Sequence, residues 1–137
     1  MTRIPIAFEP LPWVSPFNKL VGRLYVKSGN AGPCVGLMIS GKHVNRSAIV
    51  HGGMICTLAD MAMGHAIRVA HKREVSLVTV NLAVDFIGIA RTGDWVEAHA
   101  NVHRIGKRLA FADCHVWRAA ERIARASGTY QIAGTND

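Results

Sequence analysis

The stretch Asn45–Ala70, NRSAIVHGGMICTLADMAMGHAIRVA, decides how the chain is expected to fold. From His51 to Val69 apolar residues recur at the helical period of 3.6, and further methionines fill the remaining faces. A helix that is apolar nearly all round is buried nearly all round, so we expect one long central helix. Asp60 is its only carboxylate, and a carboxylate among leucine, alanine and methionine is costly unless the protein uses it. Asp60 is therefore a candidate functional residue.

The segments on both sides of this helix alternate as strands. Two short strands, 22–27 and 33–40, precede it and are joined by a turn at 28–32; four longer strands follow at 75–90, 95–104, 108–117 and 122–132. Several of these exceed the mean strand length of about 6 residues, which favours a strongly curved sheet. In the first long strand, period-2 alternation predicts one face made of Val78, Val80, Leu82, Val84 and Phe86, and a second, less apolar face made of Thr79, Asn81, Ala83 and Asp85.

The fold class expected from this order is α+β, with one long helix wrapped by a curved antiparallel sheet of about six strands. The 137 residues, of which 50% are hydrophobic, suffice for one domain. Prolines make residues 1–15 an extended arm, and Ser15 with Pro16 predicts a helix N-cap and first turn. We place a single domain at 16–133 and a frayed tail at 134–137.

The charge of the chain favours an anionic partner. Sixteen Lys and Arg against 9 Asp and Glu give a formal net charge of +7, which suits nucleic acid, an anionic membrane surface or a phosphate-bearing small molecule. The cations are scattered, and no aromatic-rich RNA-binding signature accompanies them. A phosphate-bearing ligand is therefore the preferred interpretation, with no nucleic acid as partner.

The cysteines and the hydropathy pattern bear on location. Three cysteines without a C-x-x-C pair suggest neither a disulfide framework nor a zinc site, and they fit a reducing cytoplasm. The first residues lack the apolar core of a signal peptide. Because no run approaches about 18 apolar residues, we expect no membrane span.

The helix start offers a possible oxyanion site. His51-Gly52-Gly53 lies where backbone N–H groups are unpaired and the helix dipole is positive, and a glycine lets a ligand approach the amide closely. Two glycines can equally serve only a tight bend, and a single histidine can be purely structural. His51 and Asp60 are about 13 Å apart along the helix and on nearly opposite sides. If both act on one carbonyl, the site must lie between two antiparallel helices of a symmetric dimer with two shared sites.

Five segments together resemble a known family. They are Asn45, H-G-G at 51–53, L-A-D at 58–60, T-V-N-L-A-V-D-F at 79–86, and G-D-W-V-E-A-H-A-N-V-H-R-I-G-K-R-L-A-F-A at 93–112. This pattern, spanning about 16–132, is similar to the hotdog-fold acyl-CoA thioesterases and most of all to the PaaI-like subfamily. The resemblance implies a central helix wrapped by a curved sheet, with active sites at a homodimer interface, commonly within a homotetramer.

The resemblance also implies residue roles. Gly52 would give its amide to the thioester carbonyl, with His51 and Asn45 placing the helix start and the carbonyl. Asp60 of the partner chain would be the nucleophile or the general base, and Thr79 would orient the attacking water. Coenzyme A would lie along two segments, through Phe86, Ile87, Gly88, Arg91, Arg104, Gly106, Lys107 and Arg108. The phosphates of coenzyme A suit the four cations Arg91, Arg104, Lys107 and Arg108, although each cation could also be an ordinary solvated turn residue.

The expected activity is hydrolysis of an acyl-CoA, with a medium-chain or aryl acyl group among the options, without metal or bound cofactor. His99, His103 and His115 lie on neighbouring strands, but no carboxylate or cysteine joins them at ligand spacing, so we expect no metal site. One alternative is an acyl-thioester dehydratase on the same fold, which the missing H-F-P-like loop disfavours. Another is a non-catalytic protein that binds acyl-CoA or nucleic acid; salt-sensitive DNA binding would support it, and thiol release from acyl-CoA would not.

Overall fold

The computed structural model describes residues 3–28 and 32–135, so the middle of the expected turn at 28–32 lies outside the described residues. A long helix packs against one face of a seven-stranded antiparallel sheet with the strand order β1-β2-β3-β5-β6-β7-β4. The helices are α1 Pro16–Val21 and α2 Gly52–Ala70, and a short 3-10 turn covers Gly41–His43. The strands are β1 Glu9–Pro10, β2 Leu24–Lys27, β3 Cys34–Met38, β4 Val75–Phe86, β5 Trp95–Ile105, β6 Leu109–Arg118 and β7 Glu121–Thr135.

This architecture confirms the predicted α+β class, one long helix against a curved antiparallel sheet. Buried residues of α2 form a core with the inner faces of the strands, and Leu58, Ala59, Met63 and Ile67 are completely shielded. Within the described ranges, no helix has the length and apolar character needed to cross a membrane.

The two ends of the chain differ from the expectation. The N-terminal arm contributes a seventh strand, β1, which pairs with β2, and Ser15 caps α1 by accepting a hydrogen bond from the Asn18 N–H at 3.1 Å. At the other end, β7 includes Gly134 and Thr135, which the sequence predicts to be part of a frayed tail. They are held there because β7 pairs with β4 as far as the Val75–Thr135 pair. The last two tail residues, 136 and 137, lie outside the described part of the chain.

A register shift in β4 decides which of its side chains face the helix. Thr79 pairs with Tyr130 and Asn81 with Thr129, so Val80 is an extra residue on the β4 side. A one-residue bulge reverses the alternation of side chains. The prediction that Val78 and Val80 share a core face with Leu82 is therefore wrong: they are 52% and 57% exposed. The same shift places Thr79 on the helix side.

Candidate active site

Asp60 lies in the middle of α2, where two hydroxyl groups hold one of its carboxylate oxygens. Thr79 of β4 and Tyr130 of β7 each donate a hydrogen bond to Asp60 Oδ1, and both bonds are 2.9 Å long. The Tyr130 hydroxyl is also 3.2 Å from the Asp60 carbonyl oxygen. Among the described residues no donor binds Oδ2. The carboxylate is thus fixed through one oxygen while the other is available for chemistry.

Tyr130 is the member of this site that the sequence did not reveal. Its side chain is buried, and burial, followed by the charge and hydrogen bond of Asp60, raises the pKa of its phenol. The hydroxyl therefore stays protonated and acts as a donor to the carboxylate. A buried tyrosine hydroxyl usually has a partner, so the alternation of β7 could have flagged Tyr130 as needing one. It could not have named Asp60, which is 70 residues away in the chain.

The Asp60 carboxylate is accessible because the strand beside it, β4, is at the edge of the sheet. Asp60 is only partly buried beside this strand. A strand edge presents unpaired backbone groups to any further strand. The free oxygen of Asp60 therefore lies beside a surface that a second chain could cover.

The start of α2 forms a second constellation. His51 is the N-cap, and its Nδ1 accepts a hydrogen bond of 2.9 Å from the Gly53 N–H; the proton of the neutral ring is then on Nε2. The His51 N–H donates to the His43 carbonyl at 2.8 Å, which fixes the position of the cap. Within the described ranges, nothing accepts a hydrogen bond from the Gly52 N–H. This amide is a preorganised donor at the positive end of the helix.

Two further predicted residues lie at this helix start. Phe86, the last residue of β4, covers Gly52 so closely that a Cβ at position 52 would be 3.2 Å from its ring. Asn45 Oδ1 accepts hydrogen bonds from the N–H groups of Ser47 and Ile49, at 2.9 and 3.3 Å, which closes the loop before the helix. Asn45 and His51 line one surface depression. The structure therefore brings Asn45, His51, Gly52 and Phe86 together.

Asp60 and Thr79 lie away from this group at the start of α2. Gly52 and Asp60 are eight positions apart in α2, or about 12 Å along the helix axis. Phe86, the β4 neighbour of Gly52, and Thr79, the β4 neighbour of Asp60, are about 23 Å apart along the strand. Each chain thus carries an amide donor at one place and a carboxylate at another.

The predicted coenzyme A segments are divided in the same way. Phe86, Ile87, Gly88 and Arg91 follow the end of β4 near the helix start, where Ile87 and Gly88 donate to the Ile123 carbonyl at 2.8 and 3.0 Å. The β5–β6 turn lies at the opposite end of the sheet: Leu109 pairs with Gln131, which pairs with Val78 beside Thr79. The second predicted coenzyme A segment lies at this turn and contains Arg104, Gly106, Lys107 and Arg108.

The cations of both segments are free to meet phosphates. Arg91, Arg104, Lys107 and Arg108 are exposed. In the part of the chain that the structure describes, none of the four forms a salt bridge; the arginines that do are Arg118 and Arg125.

A cavity of about 800 Å³ lies between the N-terminal arm, α2 and the start of β4. Met61, the neighbour of Asp60, and Leu77, two residues before Thr79, line it together with Trp13 and His65. The Trp13 and His65 rings are in contact, with centroids 4.9 Å apart. Burial, and secondarily Arg68, lowers the pKa of His65, so the imidazole is neutral near pH 7. Arg68 and Glu74 add charged groups to the cavity lining, which is apolar around Met61 and Leu77.

The family model of the thioesterase superfamily matches residues 48–125, which include Gly52, Asp60 and Thr79. The chain belongs to the thioesterase superfamily. It is 36% identical to a candidate esterase of Pseudomonas aeruginosa, over 96% of this chain and 99% of that protein. It is also 25% identical to acyl-coenzyme A thioesterase 13 of Homo sapiens, over 83% of this chain and 81% of that protein.

Among solved structures, a mutant form of the phenylacetic acid degradation protein PaaI from Thermus thermophilus superposes with a TM-score of 0.75. The match covers 86% of this chain and 99% of that chain at 24% identity, which speaks for the shared fold. The predicted resemblance to the hotdog-fold acyl-CoA thioesterases is confirmed, as is the prediction of an enzyme of the thioester hydrolase class. Tyr130 lies outside the matched segment of this thioesterase.

Proposed function

We propose that this thioesterase hydrolyses an acyl-CoA to the free acid and coenzyme A, at sites shared between two copies of the chain. The observation that carries the proposal is the Asp60 carboxylate, with Oδ1 fixed by Thr79 and Tyr130 and with Oδ2 bound by no donor among residues 3–28 and 32–135. The similarity to a human acyl-coenzyme A thioesterase supports the choice of thioester.

The separation of the two constellations supports a homodimer. The Gly52 amide would serve one site together with the segment after Phe86. Asp60 of the partner subunit would complete that site together with its own β5–β6 turn. A two-fold axis beside the edge strand β4 would set the complementary ends of two chains against each other. A homotetramer, a pair of such dimers, is the fuller assembly that we propose.

In the proposed reaction, the Gly52 N–H binds the thioester carbonyl oxygen and stabilises the negative charge that develops there. Asp60 Oδ2 either takes a proton from the water that attacks the carbonyl carbon or attacks that carbon itself, giving an anhydride that water then opens. In the first route the proton that Asp60 takes from water passes to the leaving sulfur; in the second the thiolate leaves and takes a proton from the water that opens the anhydride. In both routes the C–S bond breaks and coenzyme A leaves as its thiol. Thr79 and Tyr130 hold the carboxylate in place, and neither route needs a metal or a bound cofactor.

The rest of the substrate fits the remaining features. The exposed cations Arg91, Arg104, Lys107 and Arg108, which form no salt bridge with the residues that the structure describes, would bind the phosphates of coenzyme A. The cavity of about 800 Å³, which is apolar around Met61 and Leu77, would take the acyl group, and its size suits a medium-chain or aryl group. We place the enzyme in the cytoplasm, where reduced cysteines such as the free Cys34, Cys56 and Cys114 persist.

The direct test is release of free thiol from short, medium, long and aryl acyl-CoAs by the wild type and by Asp60→Asn. The amide keeps the shape of the side chain but cannot serve as base or nucleophile, so kcat should fall by at least about 100-fold. Asp85→Asn, in an exposed ion pair with Arg125, is the matched control and should keep wild-type turnover. A folded Asp60→Asn enzyme with wild-type turnover would refute the proposal.

A further inference from the structure

The outer face of the sheet, opposite α2, carries a cluster of three side chains with metal-binding chemistry. Cys34 of β3 is directly opposite His99 of β5 in the strand register. Glu97 is two residues before His99 on the same strand and so projects from the same face. Alternation along β5 already places Glu97 beside His99, and strand pairing adds the cysteine, which the sequence alone did not place there.

The distances between the possible ligand atoms fit a single small cation. Glu97 Oε1 is 2.9 Å from His99 Nε2 and 3.8 Å from Cys34 Sγ, and all three atoms lie within 4.8 Å of one another. Ligands that bind Zn²⁺ at their usual distances of about 2.0 to 2.3 Å are themselves about 3 to 4 Å apart. An ion could thus enter with small side-chain movements.

The surroundings hold the carboxylate in a suitable orientation. The Trp95 indole N–H donates to Glu97 Oε2 at 2.8 Å, which leaves Oε1 directed at Cys34 and His99. Phe8 and Tyr25 pack edge-on against the Trp95 ring, with centroids 5.0 and 5.7 Å away. Donors of this kind orient the direct ligands in metal sites and strengthen binding.

The site is also reachable from solvent. The His99 side chain is 37% exposed, and a surface cavity of about 610 Å³ is lined by Glu97 and His99 together with Trp117 and Arg118. An ion with three protein ligands would keep its fourth position toward this cavity, where a water molecule could complete a tetrahedron.

We propose that Cys34, Glu97 and His99 form a Zn²⁺ site that ties β3 to β5 beneath the N-terminal arm. Thiolate, imidazole and carboxylate together are a ligand set that zinc accepts readily. The site is on the face of the sheet opposite Asp60, so it is separate from the proposed hydrolytic reaction.

In the metal-free protein a proton occupies the thiol. Burial, then the charge of Glu97, raises the pKa of Cys34 to about 12; the nearby Lys27 lowers it, and Cys114 and the hydrogen bond to Glu97 raise it. Without metal, Glu97 accepts hydrogen bonds from its three neighbours. A metal-free hydrogen-bonded cluster is therefore the outcome that the experiment must separate from the proposed site.

The test uses the untagged full chain, stripped of metal with a chelator and titrated with Co²⁺ and then Zn²⁺. We expect one ion per chain and a thiolate-to-cobalt charge-transfer absorption that Zn²⁺ abolishes. Cys34→Ser should remove this absorption. His99→Gln should weaken Zn²⁺ binding by more than about 100-fold, because loss of an outer partner alone costs about 10- to 100-fold. Cys56→Ser and His115→Gln, which change side chains outside the cluster, should match the wild type.

If Cys34→Ser folds poorly, thermal unfolding of the wild type and of His99→Gln, with and without Zn²⁺, tests the metal site without that variant. His99 is partly exposed, so His99→Gln should fold normally without metal. Zn²⁺ should raise the Tm of the wild type and not that of His99→Gln. The absence of a thiolate–cobalt band in the wild type, or equal weakening by His99→Gln and His115→Gln, would overturn the site and leave the hydrogen-bonded cluster. Neither result depends on thioesterase activity.

Discussion

The start and the middle of α2 make an instructive comparison, since each presents one chemical group and each is held differently. At the start, the Gly52 amide is positioned by local contacts: the adjacent His51 caps the helix by accepting a hydrogen bond from the Gly53 N–H, and Asn45 closes the preceding loop. In the middle, Asp60 is held by Thr79 and Tyr130, 19 and 70 residues away. The donor is a product of local structure, whereas the carboxylate depends on the assembled sheet.

Removing the amide of Gly52 is expected to have the largest effect. Proline is tolerated in the first turn of a helix, and the extended conformation of His51, with φ −66° and ψ 136°, is the one that proline requires of its predecessor. Gly52→Pro should therefore keep the helix and remove the donor, and it also adds a Cβ beside the Phe86 ring. We expect kcat to fall about 100- to 1,000-fold, as for loss of an oxyanion-hole donor, when thiol release is measured.

Gly52→Ala is the matched control because it adds a Cβ beside Phe86 but keeps the N–H. It should retain much more activity than Gly52→Pro. Equal losses in the two variants would show that crowding against Phe86, rather than the missing donor, is responsible.

Loosening the carboxylate should have an intermediate effect. Tyr130→Phe and Thr79→Val each remove one hydrogen bond to Asp60 Oδ1, worth about 1 kcal/mol or somewhat more. We expect each to lower kcat by about 10-fold with little change in KM, because these residues position Asp60 and do not bind substrate. Thr129→Val removes a neighbouring hydroxyl that does not bond Asp60 and should behave as wild type. A change confined to KM would contradict the positioning role.

Changing the cap should have the smallest effect on activity. Asparagine is a good N-cap residue, so His51→Asn should keep both the helix start and most of the thiol release. His51→Ala loses the cap and should lower the free energy of unfolding by about 1 kcal/mol, measured by urea denaturation. Loss of activity in His51→Asn comparable with Gly52→Pro would instead show that the imidazole contacts the substrate.

The same contrast explains what could be predicted from the sequence. Periodicity predicts the helix, and the glycine pair marks its start. The apolar residues around Asp60 single out its carboxylate. These signals all act within one or two turns of the helix. The curved sheet follows from the long alternating segments. These features are local, and the structure has them nearly as expected.

The parts that could not be predicted arise from strand pairing. The bulge at Val80 moves Thr79 to the helix side, and no composition signal in β4 marks it. Tyr130 contacts Asp60 only because β7 pairs with β4 in the part of the sheet that α2 covers. Cys34 likewise meets His99 only through the register of β3 and β5. Register is set by many weak contacts together, so a single strand read in isolation does not disclose its partners.

The most direct test of the two-chain site is complementation between Gly52→Pro and Asp60→Asn, each nearly inactive alone. In a dimer containing one chain of each, one site would carry both changes and the other would carry neither. The purified heterodimer, isolated with two different affinity tags, should therefore recover about half of the wild-type thiol release, since symmetry gives each dimer two sites. Activity no higher than that of the two parent variants would contradict a site built from Gly52 of one chain and Asp60 of the other.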